Sequence, residues 1–294
     1  MIKRTIEISD GPTFLCIELD QLVLQRDHEE IGRVPVEDIG LLIVDHHSTT
    51  YTHSVFTRLV QAGAAVVVCD QHHLPAGMLL GYEANELVAQ RVAMQAALKV
   101  PLKKRLWRQI VRRKIRGQVK NLPADDPARP PMLDLARRVR TGDTANCEGQ
   151  AAALYWPAVF GGEFRRDRYG TPPNNLLNYG YMVMRAAVAR AIVSAGLHPA
   201  MGLHHHHRNN AFALADDLVE VLRPMVDAVV IDLALYQRHL ELDRQSKGAL
   251  LALLGQTIRV GEQSGPLMVG LHRIIASLTR CYEGVQRELE LPDL

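Results

Sequence analysis

The chain has 294 residues, of which 47% are hydrophobic and 22% are charged. This composition excludes an intrinsically disordered protein, and the length is sufficient for one large domain or two ordinary domains with hydrophobic cores. The formal net charge is only +2, so any affinity for nucleic acid has to come from the placement of charges and not from their total.

The four cysteines lie far apart in the sequence and form no CxxC pair. This spacing argues against a zinc ribbon or a disulfide framework and is typical of a reducing compartment. The first residues, MIKRTIEISDG, contain no apolar signal region, and no apolar run reaches about 18 residues. We therefore expect a cytoplasmic protein with no membrane association.

The first 81 residues have mostly the pattern of β-strands. Three segments alternate apolar and polar side chains, and two short apolar runs end in aspartate. These five predicted strands are residues 4–10, 13–19, 21–27, 40–45 and 64–70. A segment with helical spacing precedes the last of them and stops at Gly63. Residues 1–81 are thus predicted to form a small β-rich domain with one helix.

After Gly81 the apolar residues recur at spacings of three and four, which indicates helices. The predicted helices, separated mainly by prolines, are residues 83–98, 101–121, 131–141, 143–160, 174–195, 209–237, 246–258 and 264–288. The sequence therefore predicts an α+β multidomain protein. Its parts are the N-terminal β-rich domain, a linker over residues 82–86, and a larger all-α domain over residues 87–294.

The segment 202–223, GLHHHHRNNAFALADDLVEVLR, combines four successive histidines with Asp216, Asp217 and Glu220. Such a density of imidazoles and carboxylates in an otherwise apolar segment is costly to bury without a compensating cation. For any single histidine a solvated role is favoured, whereas at least one of the four is expected to be a metal ligand. Asp216 is better explained by the helix dipole, and Glu220, deeper in the helix, by a cation.

The separation of His205 and Glu220 places a constraint on a shared site. They lie fifteen positions apart, which is about 22 Å along a straight helix. They can bind one ion only if the chain turns between them, and residues 208–210 are the expected turn. A single unbroken helix from His204 to Glu220 would exclude the shared site.

Glu148 is the candidate for a third ligand. Its helix can be capped by Asp143 or Thr144, and Glu148 lies within the apolar stripe of that helix. The spacing favours a ligand role and a helix-dipole role equally. Two carboxylates and one imidazole would suit Mg²⁺ or Mn²⁺ better than a thiolate-seeking metal. The chemistry that follows from such a site is phosphodiester cleavage or transfer.

Residues 99–120 form a strongly basic predicted helix with a buried stripe of Trp107, Ile110 and Val111. A charge of one sign favours binding to the nucleic-acid backbone over a solvated face paired with acids from elsewhere. The candidate DNA-binding residues are Lys103, Lys104, Arg105, Arg108, Arg112 and Arg113.

Several motifs along the chain resemble the CRISPR-associated integrase, the first-numbered Cas protein, in its type II branch. They are WRQIVRRKI, the helix pattern AxxEGxAAxxY, and the stretch GLHPAMGLHHxxxxNAFxLADDLxExxRP. The N-terminal segments GLLIVDHHSTT and VVVCDQHHLPAG resemble strand segments of the same family. The resemblance covers most of the chain in the expected order.

The resemblance implies a metal site made of Glu148, His205 and Glu220, with Asp217 as a supporting acid. One departure is that the histidine run continues through His206 and His207, where relatives usually carry other polar residues. A neighbouring histidine could therefore take the place of His205 as ligand.

The resemblance also implies the activity and the partners. Such proteins insert short DNA fragments into the CRISPR repeat array, using the 3′-hydroxyl of the double-stranded fragment to attack a phosphodiester. They form homodimers through the β domain, which flank a dimer of the small second-numbered Cas protein; the type II effector nuclease is a further suggested partner. Two alternatives stay open: a non-catalytic nucleic-acid-binding scaffold protein, and a zinc hydrolase that uses the histidines.

Overall fold

The computed structural model describes residues 3–71, 73, 75–82 and 85–293. The strands are β1 (Arg4–Ile8), β2 (Phe14–Glu18), β3 (Gln21–Arg26), β4 (Glu29–Pro35), β5 (Ile39–Val44), β6 (Thr50–Tyr51), β7 (Ala65–Cys69), β8 (Pro75–Leu79), β9 (Thr257–Val260), β10 (Gln263–Pro266) and β11 (Pro292–Asp293). The α-helices are α1 (His53–Gln61), α2 (Val88–Ala96), α3 (Val100–Lys120), α4 (Arg129–Arg138), α5 (Cys147–Phe160), α6 (Asn174–Ser194), α7 (Ala213–Val219), α8 (Arg223–Ile231), α9 (Arg244–Ala252) and α10 (Leu267–Tyr282).

The N-terminal part contains two four-stranded sheets, with strand orders β1-β5-β7-β8 and β4-β3-β2-β6. In the first sheet β1, β5 and β7 are parallel, and every residue of β5 is buried, as is usual for parallel strands covered on both faces. The predicted strands correspond to β1, β2, β3, β5 and β7. The pattern did not predict β4, β6 and β8, because β6 has only two residues and the other two show no regular alternation.

The two faces of β5 belong to two different cores. Leu42 and Val44 pack into the core between the N-terminal sheets, whereas Leu41 and Ile43 belong to the large core of the helical part. The sheet is therefore packed directly against the helices. The predicted boundary at residue 81 and the linker over residues 82–86 stay predictions, and Glu83 and Ala84 lie outside the described residues.

Helix α6 is the centre of the helical part, and it is buried along most of its length. A helix that is apolar on all sides is expected to be enclosed by other elements. At Gly180 the approach to α8 is so close that an added Cβ would lie 2.4 Å from Val226. Within the described residues, no helix is both long enough and apolar enough to cross a membrane.

The single helix predicted over residues 209–237 is wrong. The chain forms α7 and α8 with a break over residues 220–222, and α8 continues into a π-helical segment, Asp232–Tyr236. Pro224 explains the break, because proline has no N–H and its ring clashes with the carbonyl of the residue four positions earlier, which is Glu220. The histidine run lies in a non-helical loop before α7, so the predicted absence of one continuous helix is confirmed.

The C-terminal part contains a small sheet with strand order β10-β9-β11. The predicted helices 246–258 and 264–288 are therefore too long: the hairpin of β9 and β10 lies between α9 and α10. Thr257–Val260 alternates exposed and buried residues, which is the strand period and not the helical one. The α+β fold, with a β-rich N-terminal part followed by a mainly helical part, is confirmed; the helical part is not purely α.

Candidate active site

Glu148 is positioned by the turn that precedes α5. The buried Asp143 carboxylate accepts the backbone N–H groups of Cys147 at 2.9 Å and Glu148 at 3.0 Å, and the Asn146 side chain accepts that of Gly149 at 3.2 Å. These bonds satisfy N–H groups that have no partner within the helix. The N-cap residue is Asn146 and not Asp143 or Thr144 as predicted, but the Asp143 carboxylate also binds the first turn of α5 and so fixes Glu148.

Glu220 lies directly after α7, where Pro224 interrupts the helix, and it is only 3% exposed. Its Oε1 is 2.9 Å from the Arg223 guanidinium, and its Oε2 is 2.6 Å from the ammonium of Lys114. Burial by itself would raise the pKa of Glu220, but Arg223 and Lys114 outweigh it and hold the pKa below its ordinary value. Glu220 is therefore a buried, ionised carboxylate with two positive partners.

Lys114 joins the two candidate acids. Its ammonium lies 2.5 Å from Glu148 Oε1 as well as 2.6 Å from Glu220 Oε2, and its side chain is only 10% exposed. Burial lowers the pKa of Lys114, but Glu220 and Glu148 more than compensate and raise it above the ordinary value. The carboxylates of α5 and of the α7–α8 break thus converge on one positive group.

Asp217 organises the histidine loop. This fully buried carboxylate accepts the backbone N–H groups of Leu203 at 2.5 Å and of His204 and His205 at 3.1 Å each. It also lies 2.7 Å from Nδ1 of His205. A side chain at Gly202 would come within 2.3 Å of the His205 carbonyl oxygen, so the loop can close around Asp217 only because residue 202 has no Cβ.

The ring of His205 has one nitrogen engaged and one available. When Nδ1 carries the proton and donates it to Asp217, the lone pair of Nε2 is free for a ligand, as in the carboxylate–histidine–metal arrangement of many metal sites. The hydrogen bond that His205 donates to Asp217 raises the pKa of His205 against the effect of burial. His204 stacks on the buried Trp107, with ring centroids 4.3 Å apart and planes 3° apart, and the rings of Trp107 and His205 are nearly perpendicular with centroids 5.7 Å apart.

The structure brings Glu148 and Glu220 together and holds His205, in the loop before α7, against Asp217 of that helix. Among the described residues, no three His, Cys, Asp or Glu side chains form a ready-made ligand set for a metal ion. The two carboxylates do fit a hard cation, because both converge on a positive charge, the Lys114 ammonium. Asp216 is engaged elsewhere, in an ion pair with Arg185 at 2.7 Å.

A polar cluster lies next to the two acids. The fully buried Asp227 accepts hydrogen bonds from the hydroxyl groups of Tyr155 and Tyr181. Burial raises the pKa of Asp227 to about 6. The Arg223 guanidinium lies over the ring of Tyr181 at 4.5 Å and thus links this cluster to Glu220.

The six candidate DNA-binding residues of α3 do not play one common role. The guanidinium of Arg112 donates to the Ala136 carbonyl at the end of α4, and that of Arg113 pairs with Asp293 at 2.9 Å. Lys104 is exposed, and Lys103 and Arg105 are half-buried. Arg108 lines a cleft of about 920 Å³ together with Arg137, Arg138 and Arg140.

A second arginine-lined cleft, of about 300 Å³, adjoins the histidine loop. His205 and Arg223 form part of its wall, together with Arg166, Arg168 and the ion pair of Arg185 with Asp216, so the cleft has an excess of positive charge. Clefts lined by charges of one sign attract groups of the opposite sign, and guanidinium groups match the geometry of phosphate. The candidate acids are thus accompanied by two surfaces suited to a polyanion.

Sequence reasoning missed Lys114 as a site residue, although the spacing contained the signal. Lys114 stands seven, four and three positions after Trp107, Ile110 and Val111, so it continues their buried stripe. Tyr181 and Asp227 were also missed. No local pattern distinguishes them from ordinary core and cap residues, because their roles depend on contacts between separate helices.

The fold and this site define an α+β protein in which two carboxylates and a carboxylate-held histidine lie beside arginine-lined clefts. The chain matches the family model of CRISPR associated protein Cas1 over residues 7–252. It is also 36% identical, over 100% of its length and 97% of the relative's, to a CRISPR-associated endonuclease Cas1 of Neisseria meningitidis. The chain therefore belongs to the Cas1 family.

Further relatives and solved structures agree with this. A shorter match, 40% identical over 35% of this chain and 36% of the other, is a Cas1 endonuclease of Pyrobaculum aerophilum. A Cas1 protein from Thermotoga maritima is similar in fold, with a TM-score of 0.75 at 17% identity over 99% of this chain and all of the other. A casposase bound to its integration product has a TM-score of 0.76 at 17% identity, over 99% of this chain and 93% of the other.

Proposed function

We propose that the chain is a divalent-metal-dependent DNA integrase and endonuclease of CRISPR adaptation, which inserts short DNA fragments into the repeat array. The observation that carries the proposal is the convergence of Glu148 and Glu220, from separate helices, on one positive group. Membership of the Cas1 family supports it, as do relatives named CRISPR-associated endonucleases.

Glu148, Glu220 and Nε2 of His205 would hold Mg²⁺ or Mn²⁺, since two carboxylates and one imidazole make an oxygen-rich ligand set. When bound, such an ion stabilises negative charge on a phosphoryl oxygen. Asp217 supports the site by engaging Nδ1 of His205 and three backbone N–H groups of the loop. This fixes the tautomer and the position of the imidazole.

Arg108, Arg137, Arg138 and Arg140 in one cleft, and Arg166 and Arg168 in the other, would bind phosphates of the double-stranded DNA. With the DNA held, the 3′-hydroxyl of the fragment attacks a repeat phosphodiester. A new phosphorus–oxygen bond forms to the attacking oxygen, the bond to the leaving 3′-oxygen breaks, and the proton passes from the attacking to the leaving side. The enzyme forms no covalent intermediate.

The proposed partners are a second copy of the chain, the small second-numbered Cas protein and the type II effector nuclease. The N-terminal sheet leaves Phe14 39% and Ile31 51% exposed, and these apolar side chains would be available to a homodimer contact through the β-rich part. The fold is also similar to that of a chain in a Cas6-RT-Cas1–Cas2 complex, with a TM-score of 0.79 at 17% identity over 97% of this chain and 35% of the other.

A second candidate function is a non-catalytic nucleic-acid-binding scaffold. The observation that favours it is the same ion pairing, because Lys114 and Arg223 already neutralise both acids without a metal. In that case the acids would serve stability alone.

A strand-transfer assay with a DNA fragment and a repeat-containing target separates the two functions. Glu148→Gln and Glu220→Gln are expected to abolish the joined product in Mg²⁺ or Mn²⁺ while DNA binding, measured by fluorescence anisotropy, stays within a few-fold of wild type. Glu262→Gln, at an exposed glutamate, is the matched control and should leave both properties unchanged.

Two results would contradict the proposal. Full product from both glutamine variants would leave only the scaffold function. Activity with Zn²⁺ but with neither Mg²⁺ nor Mn²⁺ would favour a zinc hydrolase built on the histidines.

A further inference from the structure

Lys114 is an unusual residue for the centre of a basic helix. Its helix carries Arg116 and Lys120 on the exposed surface, whereas Lys114 is turned inward among Trp107, Ile110 and Val111. A lysine is almost never buried unless it is paired. Here the pairing is double, with Glu148 at 2.5 Å and Glu220 at 2.6 Å.

The charges around this ammonium already balance. Lys114 and Arg223 supply two positive charges, and Glu148 and Glu220 supply two negative ones. A divalent ion added between the carboxylates would compete with the ammonium for the same oxygen lone pairs. It would also leave a buried excess of positive charge, which a low-dielectric interior strongly disfavours.

We propose that Lys114 is a built-in placeholder cation: its ammonium holds the two carboxylates together in the metal-free protein and must leave them when the divalent ion binds. This inference rests on the proposed function, because it takes Glu148 and Glu220 as ion ligands. The four-carbon stem of lysine has the freedom to move the ammonium while the helix stays in place. The exchange sets the affinity for the ion, since binding the ion includes breaking both Lys114 pairs.

The first test measures Mn²⁺ binding by the electron paramagnetic resonance signal of free Mn²⁺, in the absence of DNA. Lys114→Met keeps the length of the stem and removes the charge, so it should bind Mn²⁺ at least about tenfold more tightly than wild type, which is about 1.4 kcal/mol. Lys120→Met, at an exposed position of the same helix, is the control and should bind as wild type does.

Thermal unfolding gives a second readout of the same variant. Without Mn²⁺, Lys114→Met should melt below wild type, because Glu148 then loses its ion-pair partner and the buried Glu220 keeps only Arg223. With saturating Mn²⁺ the difference should shrink or reverse, because the ion takes over the role of the ammonium.

The wild-type protein provides a test that needs no variant, in case Lys114→Met fails to fold. An amine-acetylating reagent, read by mass spectrometry, should modify Lys114 slowly in metal-free protein and several-fold faster after Mn²⁺ is added. Lys120 should react equally in both conditions. Unchanged protection of Lys114 at saturating Mn²⁺ would overturn the placeholder role.

The outcomes distinguish this inference from the proposed function. If Glu148→Gln and Glu220→Gln abolish Mn²⁺ binding but a folded Lys114→Met binds no more tightly than wild type, the placeholder role alone is wrong. If Mn²⁺ binding survives both glutamine variants, the ligand assignment itself is wrong and both proposals are overturned.

Discussion

At the scale of single residues, each candidate ligand depends on a neighbour that is not a ligand. Asp143 fixes the start of α5 and with it Glu148, Pro224 ends α7 at Glu220, and Asp217 holds the loop of His205. Buried polar groups of this kind are stable only when their hydrogen bonds are complete. The positions of the functional side chains are therefore decided by caps, breaks and buried carboxylates around them.

Asp227 makes the free energy of unfolding depend on pH, and this dependence can be measured. Its pKa is raised by burial from 3.8 to about 6 in the folded protein. Between about pH 4 and pH 6 the unfolded chain releases this proton while the folded chain retains it, so the stability falls as the pH rises through that window. The shift corresponds to about 3 kcal/mol.

We therefore expect wild type to lose roughly 3 kcal/mol more stability between pH 4 and pH 7 than Asp227→Asn does. Urea denaturation at a series of pH values measures this difference. Asp232→Asn, at an exposed aspartate, should follow the wild-type profile. Parallel profiles for wild type and Asp227→Asn would show that Asp227 is ionised in the folded protein.

At the scale of elements, α3 combines a structural and a surface role. One side of the helix contributes Leu106, Trp107, Ile110 and Lys114 to the interior, and the arginines of the other side divide between intramolecular bonds and a cleft. The Arg113 guanidinium already pairs with Asp293, so it is less available to bind a phosphate than a guanidinium in an arginine-lined cleft. The charge of the helix alone does not reveal this difference.

Arg108 lines a cleft, whereas Arg113 is already ion-paired, so a variant at Arg113 serves as the control for one at Arg108. Arg108→Gln should weaken DNA binding for all sequences alike and reduce the slope of log K against log salt by about 1. Arg113→Gln should leave that slope unchanged and cost less than about 1 kcal/mol of stability, because its ion pair is partly exposed. Anisotropy titrations at several salt concentrations test both. Equal slopes for Arg108→Gln and wild type would show that Arg108 does not contact the DNA.

At the scale of the whole molecule, a buried ionic cluster joins the N-terminal sheet to the helices. The Lys247 ammonium on α9 contacts the carboxylate of Asp45, which follows β5, and lies 3.7 Å from Glu7 on β1. The Tyr179 hydroxyl on α6 donates to Glu7 at 2.6 Å. Together with Leu41 and Ile43 in the helical core, this cluster fixes the sheet against the helices.

Lys247→Met should therefore lower the free energy of unfolding by about 3–5 kcal/mol, because it removes the ammonium from the buried Asp45 carboxylate and leaves it the partly exposed His73 imidazole, at 2.8 Å, as basic partner. Denaturation in urea measures the loss, and Lys120→Met is the exposed control. A loss below about 1 kcal/mol would mean that Asp45 and Glu7 are solvated or protonated in the folded protein.

Most of the fold could be predicted from the sequence, since periodicity is a local property. The alternation in β1 to β3, the apolar runs of β5 and β7 and the spacing in α3, α5 and α6 were sufficient for the α+β class. The prediction was wrong where a non-local or single-residue effect dominates, as at Pro224 and in the hairpin of β9 and β10. The division at residues 82–86 stays a prediction.

For the site, the sequence by itself determined which side chains are available: two glutamates, a histidine run, a supporting aspartate and an excess of arginines. Only the tertiary structure decided how they are used, because hydrogen bonds and ion pairs between distant segments depend on how the helices pack. It turned Lys114 inward between Glu148 and Glu220 and engaged Arg113 with Asp293. The sign of each charge is known from the sequence, whereas the group that pairs with it depends on how the helices pack.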